Sequence, residues 1–335
     1  MNERCGFARL AAVLIAGAVL CGAAIVSLGF PPEKPYDPRP LMGELEKRTT
    51  TDRFTFAVFG DAECNPVFDG VIARAEALKP DFALVMGDMV TIGDTPAHYD
   101  KLEKQFGPFM RKYPCWPCYG NHEAKKRGMG NFQKFYGLPS AYYAFDFRNC
   151  RFITLQMSDG PDIDRGQATW LAKQLAEGKQ AGKLLFVRQH APCYSIGARD
   201  RIHLSNKPNS VAGLCTKYGV VANFAGHDHI YYRTKRDGVC YIVQGGGGDW
   251  IYPLRREGEA VEGDVYFGGI PKPGSQYGSI SFKLHTPRDD KPYKQPKFML
   301  TLIEVDGTHV TGKTVAADGE VLDEFTLAEG KRAGR

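Results

Sequence analysis

The chain has 335 residues, 43% hydrophobic and 24% charged, with a formal net charge of +5. This is ordinary globular composition, enough for one large domain or two smaller ones. The charge is too small and too evenly spread to point to a nucleic-acid partner. Its densest basic run, Lys125-Lys126-Arg127, reads first as a solvated loop and second as a rim that attracts an anionic substrate.

Arg4 and Arg9 precede Leu10–Phe30, an uncharged and mostly apolar stretch. It is long enough to span a bilayer with its N-terminus cytoplasmic. A cleaved signal peptide fits almost as well, with Leu10–Leu20 as its apolar core and Gly22 and Ala24 as the small residues before the cut. Cys21 invites a lipoprotein reading that the bulky Leu20 weakens. All three predict export of the rest, so the expected organisation is a targeting segment over 1–30, a Pro-rich linker and polar lead-in over 31–51, and one domain over 52–335. Of nine cysteines, Cys5 and Cys21 fall in the targeting segment. The remainder is odd, so an exported domain would keep at least one free or metal-bound thiol.

The first strong element is FTFAVFGDAE (54–63), a buried strand running into a loop at Gly60-Asp61. Helical spacing follows over Val67–Leu78, then a second buried strand, DFALVMGD, ending at Gly87-Asp88. Residues 96–112 predict a helix. PCWPCY reads as a third strand and leads directly into GNHE (120–123). Here Asn121 offers a neutral oxygen, His122 a titratable imidazole, and Glu123 a carboxylate placed to orient His122. Ala141–Met157 predicts a hairpin about Arg148-Asn149, and Asp164–Glu177 a helix capped by Asp164. KLLFVRQH is a strand ending at His190. Ile196–Leu214 has no clear period and reads as a loop. VVANFAGHDH is a further buried strand ending in His227 and His229. Val239–Val243, a turn at Gly245–Gly248, Lys297–Val305 and Val310–Val315 complete the chain.

Asp61, Asp88, Asn121, His190 and His227 thus each stand just past a buried strand. In open α/β sheets such strand ends line one crevice. Asp61 and Glu63, like His227 and His229, are spaced to share one side of an extended chain. Carboxylate, amide and imidazole donors suit Mn, Fe or Zn. Seven candidates are too many for one ion and right for two, with Asp88 the choice for a shared bridge. Two such ions would clamp a phosphoryl group and activate water.

The stretches GDAE, GDMVTIG (87–93), GNHE, RQHAPCY (188–194) and GHDHIYYR (226–233) occur in the order of the calcineurin-like metallophosphoesterase superfamily, which includes the purple acid phosphatases. QGGGGDWIYP (244–253) resembles the strand and turn that follow there. The resemblance implies a four-layer α/β/β/α sandwich with a two-metal hydrolase site. Carried over, one metal takes Asp61, Asp88 and His229, and the other takes Asp88, Asn121, His190 and His227. His122 lies near the leaving-group oxygen, and Asp228 matches a variable position and receives no role. Two departures stand out. Glu63 replaces the histidine usual two residues after the first aspartate, and is a ligand, a hydrogen-bond acceptor beside the ligands, or a sign that the first metal site is weak. Thr91 replaces the tyrosine ligand of the purple acid phosphatases, so their colour is not expected.

Each motif alone has a bland reading as a turn or a hydrogen-bonded histidine; five in this order do not. Cys115 and Cys118 look like a redox pair, but their place in a strand favours a structural role. Tyr194 and Arg233 are candidates for substrate binding, with a structural salt bridge equally open to Arg233; Tyr231 and Tyr232 could line the same pocket. His98 and His203 read as surface residues. The expected function is an exported two-metal phosphomonoesterase acting by attack of a metal-bridging hydroxide on a phosphorylated small molecule. The alternatives are a phosphodiesterase of nucleotides or lipid headgroups, and a non-catalytic metal-binding module of the same fold. A disulfide oxidoreductase is a distant third.

Overall fold

A computed structural model describes residues 36–156, 163–199 and 209–333. The apolar segment Leu10–Phe30, with Cys5, Cys21 and His203, lies outside these residues. Among the described helices none is long and apolar enough to cross a membrane.

The first element departs from expectation. The stretch read as linker and lead-in folds as helix α1 (Pro38–Arg48), with Asp37 capping its first turn. Proline suits a first helical turn, where no N–H is needed. Tyr36, Met42 and Leu45 are buried, and the Tyr36 ring lies 4.8 Å from that of Phe135. The packed domain therefore begins before residue 52. In order follow β1 (Arg53–Phe59), α2 (Phe68–Leu78), β2 (Phe82–Val85), α3 (Pro96–Met110), β3 (Cys115–Pro117), the short α4 (Asn121–Ala124) and α5 (Met129–Tyr136). The hairpin is β4 (Tyr143–Phe147) and β5 (Cys150–Thr154), then α6 (Arg165–Gln180) and β6 (Leu184–Arg188). The expected loop ends in a helix, α7 (Val211–Tyr218), capped by the Ser210 hydroxyl. Next come β7 (Ala222–Ala225), β8 (Tyr231–Arg236), β9 (Val239–Gln244), β10 (Val265–Pro271), β11 (Ser279–His285), β12 (Asp290–Tyr293), β13 (Met299–Asp306), β14 (His309–Ala316) and β15 (Val321–Ala328).

Two sheets form. One has the order β15-β14-β13-β1-β2-β3, and the other β12-β11-β10-β8-β9-β7-β6-β5-β4. Strands β1, β2 and β3 run parallel, as do β5, β6, β7 and β9. The sheets meet through phenylalanines. Phe56 of β1 stacks on Phe82 and sets its ring edge-on to Phe152, Phe186 and Phe224 of the second sheet, at 5.3, 5.6 and 6.1 Å. Burying each such ring stabilises by about 1.5–3 kcal/mol. Outside the first sheet, Phe59 packs on Phe68 of α2 and Phe106 of α3. Outside the second, Leu171 and Leu175 of α6 and Leu214 of α7 cluster with Ile153, Leu185 and Val187. Helix, sheet, sheet and helix make four layers, and the parallel strands of both sheets bring their carboxyl ends to one rim.

Candidate metal centre

The rim is built from short loops held in costly conformations. Asp61, Glu63, Asp88 and His227 all lie in the left-handed region, at φ 58°, 44°, 52° and 69°. For residues with a Cβ this costs about 1–2 kcal/mol each, so the surroundings must over-determine it. They do. Glu123, buried in α4, accepts from the backbone N–H groups of Asp88 (2.8 Å), Met89 (2.8 Å) and Gly120 (3.0 Å). Its expected role beside His122 is thus corrected: Glu123 fastens the β2 loop to the β3 loop. Glycine is required where these loops touch. A Cβ at Gly120 would stand 2.3 Å from Asp88 Oδ1, and one at Gly226 2.3 Å from Asp61 Oδ2.

The second sheet is tied to the first beneath the rim. Arg188 is buried at the end of β6, donating to the Trp116 carbonyl of β3 (2.5 Å) and to Tyr143 Oη (2.8 Å). Gln189 and Asn223 exchange amide hydrogen bonds of 2.8 and 2.9 Å, which keep the loops carrying His190 and His227 in register.

Four donor atoms converge. Asn121 Oδ1 is 3.0 Å from His190 Nε2 and 2.7 Å from His227 Nδ1, and His190 Nε2 is 3.1 Å from Asp88 Oδ2. His190 Nδ1 donates to the Met86 carbonyl (2.7 Å), which turns the Nε2 lone pair into the site. His229 Nδ1 likewise donates to the Trp250 carbonyl (3.0 Å), and its Nε2 lies 3.6 Å from Asp61 Oδ1. Asp61 Oδ2 and His229 Nε2 are buried without a hydrogen-bond partner among the described residues. Buried, unpartnered donors of this kind fit a metal cation.

The electrostatics agree. Burial opposes charge on His190, but the carboxylates of Asp88 and Asp61 outweigh it and hold the imidazole up at about 10. The potential that holds a proton there also favours a metal ion. Burial pushes His229 down to about 3 and His227 well down, leaving both neutral, as ligands must be.

Glu63 Oε2 lies 2.9 Å from His122 Nδ1, the hydrogen-bond acceptor role among those open to it. Burial disfavours charge on His122, but this hydrogen bond and the Asp88 carboxylate raise its pKa above the usual value. Glu63 also groups with His229 and with Asp249, a residue the sequence did not single out. Asp249 follows the glycine turn at the end of β9, so a sixth strand end contributes to the rim. Lys125 Nζ sits 2.7 and 2.9 Å from the two ring nitrogens of His122, which favours the rim reading for that lysine.

Other candidates lie elsewhere. Arg233 is paired with Asp323 at 2.6 Å, and Tyr231 donates to the same carboxylate. Tyr232 donates to Asp264. Tyr194 packs edge-on to Tyr241 at 4.7 Å. His98 accepts from the Ile92 N–H. Cys115 and Cys118, like every cysteine among the described residues, are buried free thiols, and burial pushes Cys118 up to about 11. Beside the donors opens a cleft of about 500 Å³, lined by Glu63, His122, Arg199, Asp249, Trp250 and Tyr252 among others.

The calcineurin-like phosphoesterase family profile matches residues 54–231. No curated protein matches the chain. Among solved structures, the chain is similar to purple acid phosphatase PPD1 from yellow lupin, at 16% identity and TM-score 0.62, covering 83% of this chain and 54% of that one. It therefore spans about half the length of the lupin protein. It is also similar to Plasmodium GAP50, described as the anchor in the inner membrane complex, at 16% identity, TM-score 0.58 and coverage of 84% and 90%. A dimetal phosphatase from Danio rerio gives 12% identity, TM-score 0.53 and coverage of 83% and 99%. At these identities the solved structures speak for the fold alone.

Proposed function

The chain belongs to the calcineurin-like phosphoesterase family, and from that premise we propose that it is a two-metal phosphoesterase acting on phosphomonoesters. The observation that carries the reading is the meeting of Asp88, Asn121, His190 and His227 from two sheets, with Asp61 and His229 adjoining. Asp88, Asn121, His190 and His227 would hold one ion, and Asp61, Asp88 and His229 the other, with Asp88 shared. Mn, Fe or Zn suits this donor set. Such a pair supplies Lewis-acid activation of water and of the phosphoryl oxygens.

The protein's own residues do the rest. His122, held by its contact with Glu63, faces the cleft and is placed to give a proton to the departing ester oxygen. Asp88 Oδ1 accepts from the His122 backbone N–H at 2.7 Å, so the acid is held to the metal ligand itself. Lys125 adds positive charge beside it, which suits a phosphomonoester dianion better than a singly charged diester.

The test is hydrolysis of a chromogenic phosphomonoester and its diester counterpart by protein stripped and reloaded with Mn, Fe or Zn. Metal-dependent turnover that Asp88→Asn and His190→Ala abolish, in folded protein, supports the reading; turnover retained in either variant refutes it. At most one bound ion per chain, without turnover, would favour the non-catalytic module. Placement outside the cytoplasm rests on Leu10–Phe30 alone, and finding the protein in a cytosolic fraction would overturn it.

A further inference from the structure

The cleft holds a cation, Arg199, that none of the sequence motifs contains. Arg199 leaves the loop after β6 and reaches over the ring of Tyr252 at 5.4 Å and that of Tyr277 at 5.5 Å. One N–H donates to Tyr252 Oη (3.2 Å), while Nε is buried without a partner among the described residues. No carboxylate among those residues lies within ion-pair distance of it. A half-buried guanidinium stacked on aromatic faces keeps its charge and presents its remaining N–H groups in a fixed fork. Arg233, by contrast, is neutralised by Asp323.

What holds Arg199 there is the residue between the two histidines. Asp228 is fully buried, and its carboxylate accepts from Ser195 Oγ (2.5 Å), Ala198 N–H (3.1 Å) and Arg199 N–H (3.4 Å). Arg256 closes the loop from the other side, donating to the carbonyls of Arg199 (2.6 Å) and Ser195 (3.1 Å). The backbone that carries His227 and His229 therefore also fixes the backbone that carries Arg199.

We propose that Arg199 is a substrate-binding residue that grips two unesterified oxygens of the phosphoryl group, with Asp228 as its positioning residue. This rests on the phosphoesterase reading above and sharpens it. A bidentate grip on two free oxygens, with a third directed to the metal ligands, is open to a monoester and denied to a diester. Arg199 thus makes the site a monoester site.

The experiment is calorimetric titration of orthophosphate into the manganese-loaded full chain, with bound manganese measured in each sample. Arg199→Ala is expected to weaken phosphate binding by roughly 10- to 100-fold, with manganese content and thermal melt unchanged. Arg199→Lys, which keeps the charge without the fork, is expected to fall between. Asp228→Asn is expected to weaken binding in the same direction, and by less than threefold when Arg199 is already alanine, because the two act as a unit. Phosphate binding within threefold of wild type in both Arg199 variants overturns the proposal, as does loss of manganese from Arg199→Ala. Additive losses overturn the role of Asp228. A wild type that holds manganese yet binds no phosphate sinks the phosphoesterase reading itself, and this inference with it.

Discussion

Glu123 makes no contact with the cleft in the structure, yet its removal is expected to be among the most damaging single changes. Its Oε2 accepts two backbone N–H groups and its Oε1 a third, all buried. Glu123→Ala leaves three donors unsatisfied at about 1–3 kcal/mol each, so a loss of about 3–6 kcal/mol is expected once partial relaxation is allowed. That is a large part of the 5–15 kcal/mol typical of a domain. Glu123→Gln separates this account from simple loss of volume. One amide oxygen can still serve Asp88 and Gly120, but the NH₂ group then faces the Met89 N–H, donor against donor. Losing one of three bonds is expected to cost about 1–2 kcal/mol. The assay is urea unfolding of metal-free protein, so that ion binding does not enter the balance, followed by the fluorescence of Trp116, Trp170 and Trp250. At a slope of about 3 kcal/mol per molar, the alanine midpoint should fall by about 1–2 M. An alanine variant within about 1 kcal/mol of wild type would refute the reasoning, and so would a glutamine variant as damaged as alanine.

Three further outcomes follow from other parts of the molecule. Arg233→Met should cost about 2–4 kcal/mol in stability by stranding the Asp323 carboxylate, while KM for a phosphomonoester stays within twofold; a large rise in KM would return Arg233 to the site. At most Cys5 and Cys21 should react quickly with a thiol reagent in native protein, because every described cysteine is buried; fast reaction of a third sulfur contradicts that burial. Burial would raise the Glu320 carboxyl, but hydrogen bonds from Lys291, Tyr293 and Lys297 outweigh it and hold it at about 2. This depressed pKa contributes stability above the usual carboxylate range, and that contribution disappears as pH falls from about 4.5 toward 2. Because the group is largely solvent-screened, Glu320→Gln should cost only about 1 kcal/mol at pH 7 and nothing at pH 2. A cost that persists in acid would show that packing, not charge, is responsible.

The residues that converge at the rim could be read from sequence as candidate ligands because each follows an apolar strand buried on both faces, and such strands announce themselves by composition. Asp61, Asp88, Asn121, His190, His227 and His229 all have this context. Asp249 follows one too, but the glycine turn between strand and carboxylate hid its direction. Arg199 and Asp228 were out of reach, since their relation depends on a loop folding back across many residues. Glu123 and Glu63 exchanged expectations: adjacency in sequence suggested that Glu123 orients His122, yet the helical turn at Asn121 points it down at backbone and leaves that contact to Glu63. Proline misled at α1, where it begins a helix. Strand β11 carries a short alternation of Ile280, Phe282 and Leu284 hidden between polar neighbours, while β12 is largely exposed and offers no apolar run.

The place of β13 bears on when the protein can mature. The first sheet sets β1, near the beginning of the chain, beside β13, whose pairing runs from Arg53 opposite Asp306 to Val58 opposite Thr301. The strand that leads to Asp61 thus waits, with one edge unpaired, until nearly the whole polypeptide has been synthesised. An ion captured earlier would meet at most a partial cage, and a chain cut short before residue 299 would leave the unpaired edge of β1 exposed to other chains. Completion of the first sheet, and with it of any cage for an ion at the end of β1, requires the strand supplied by residues 299–306.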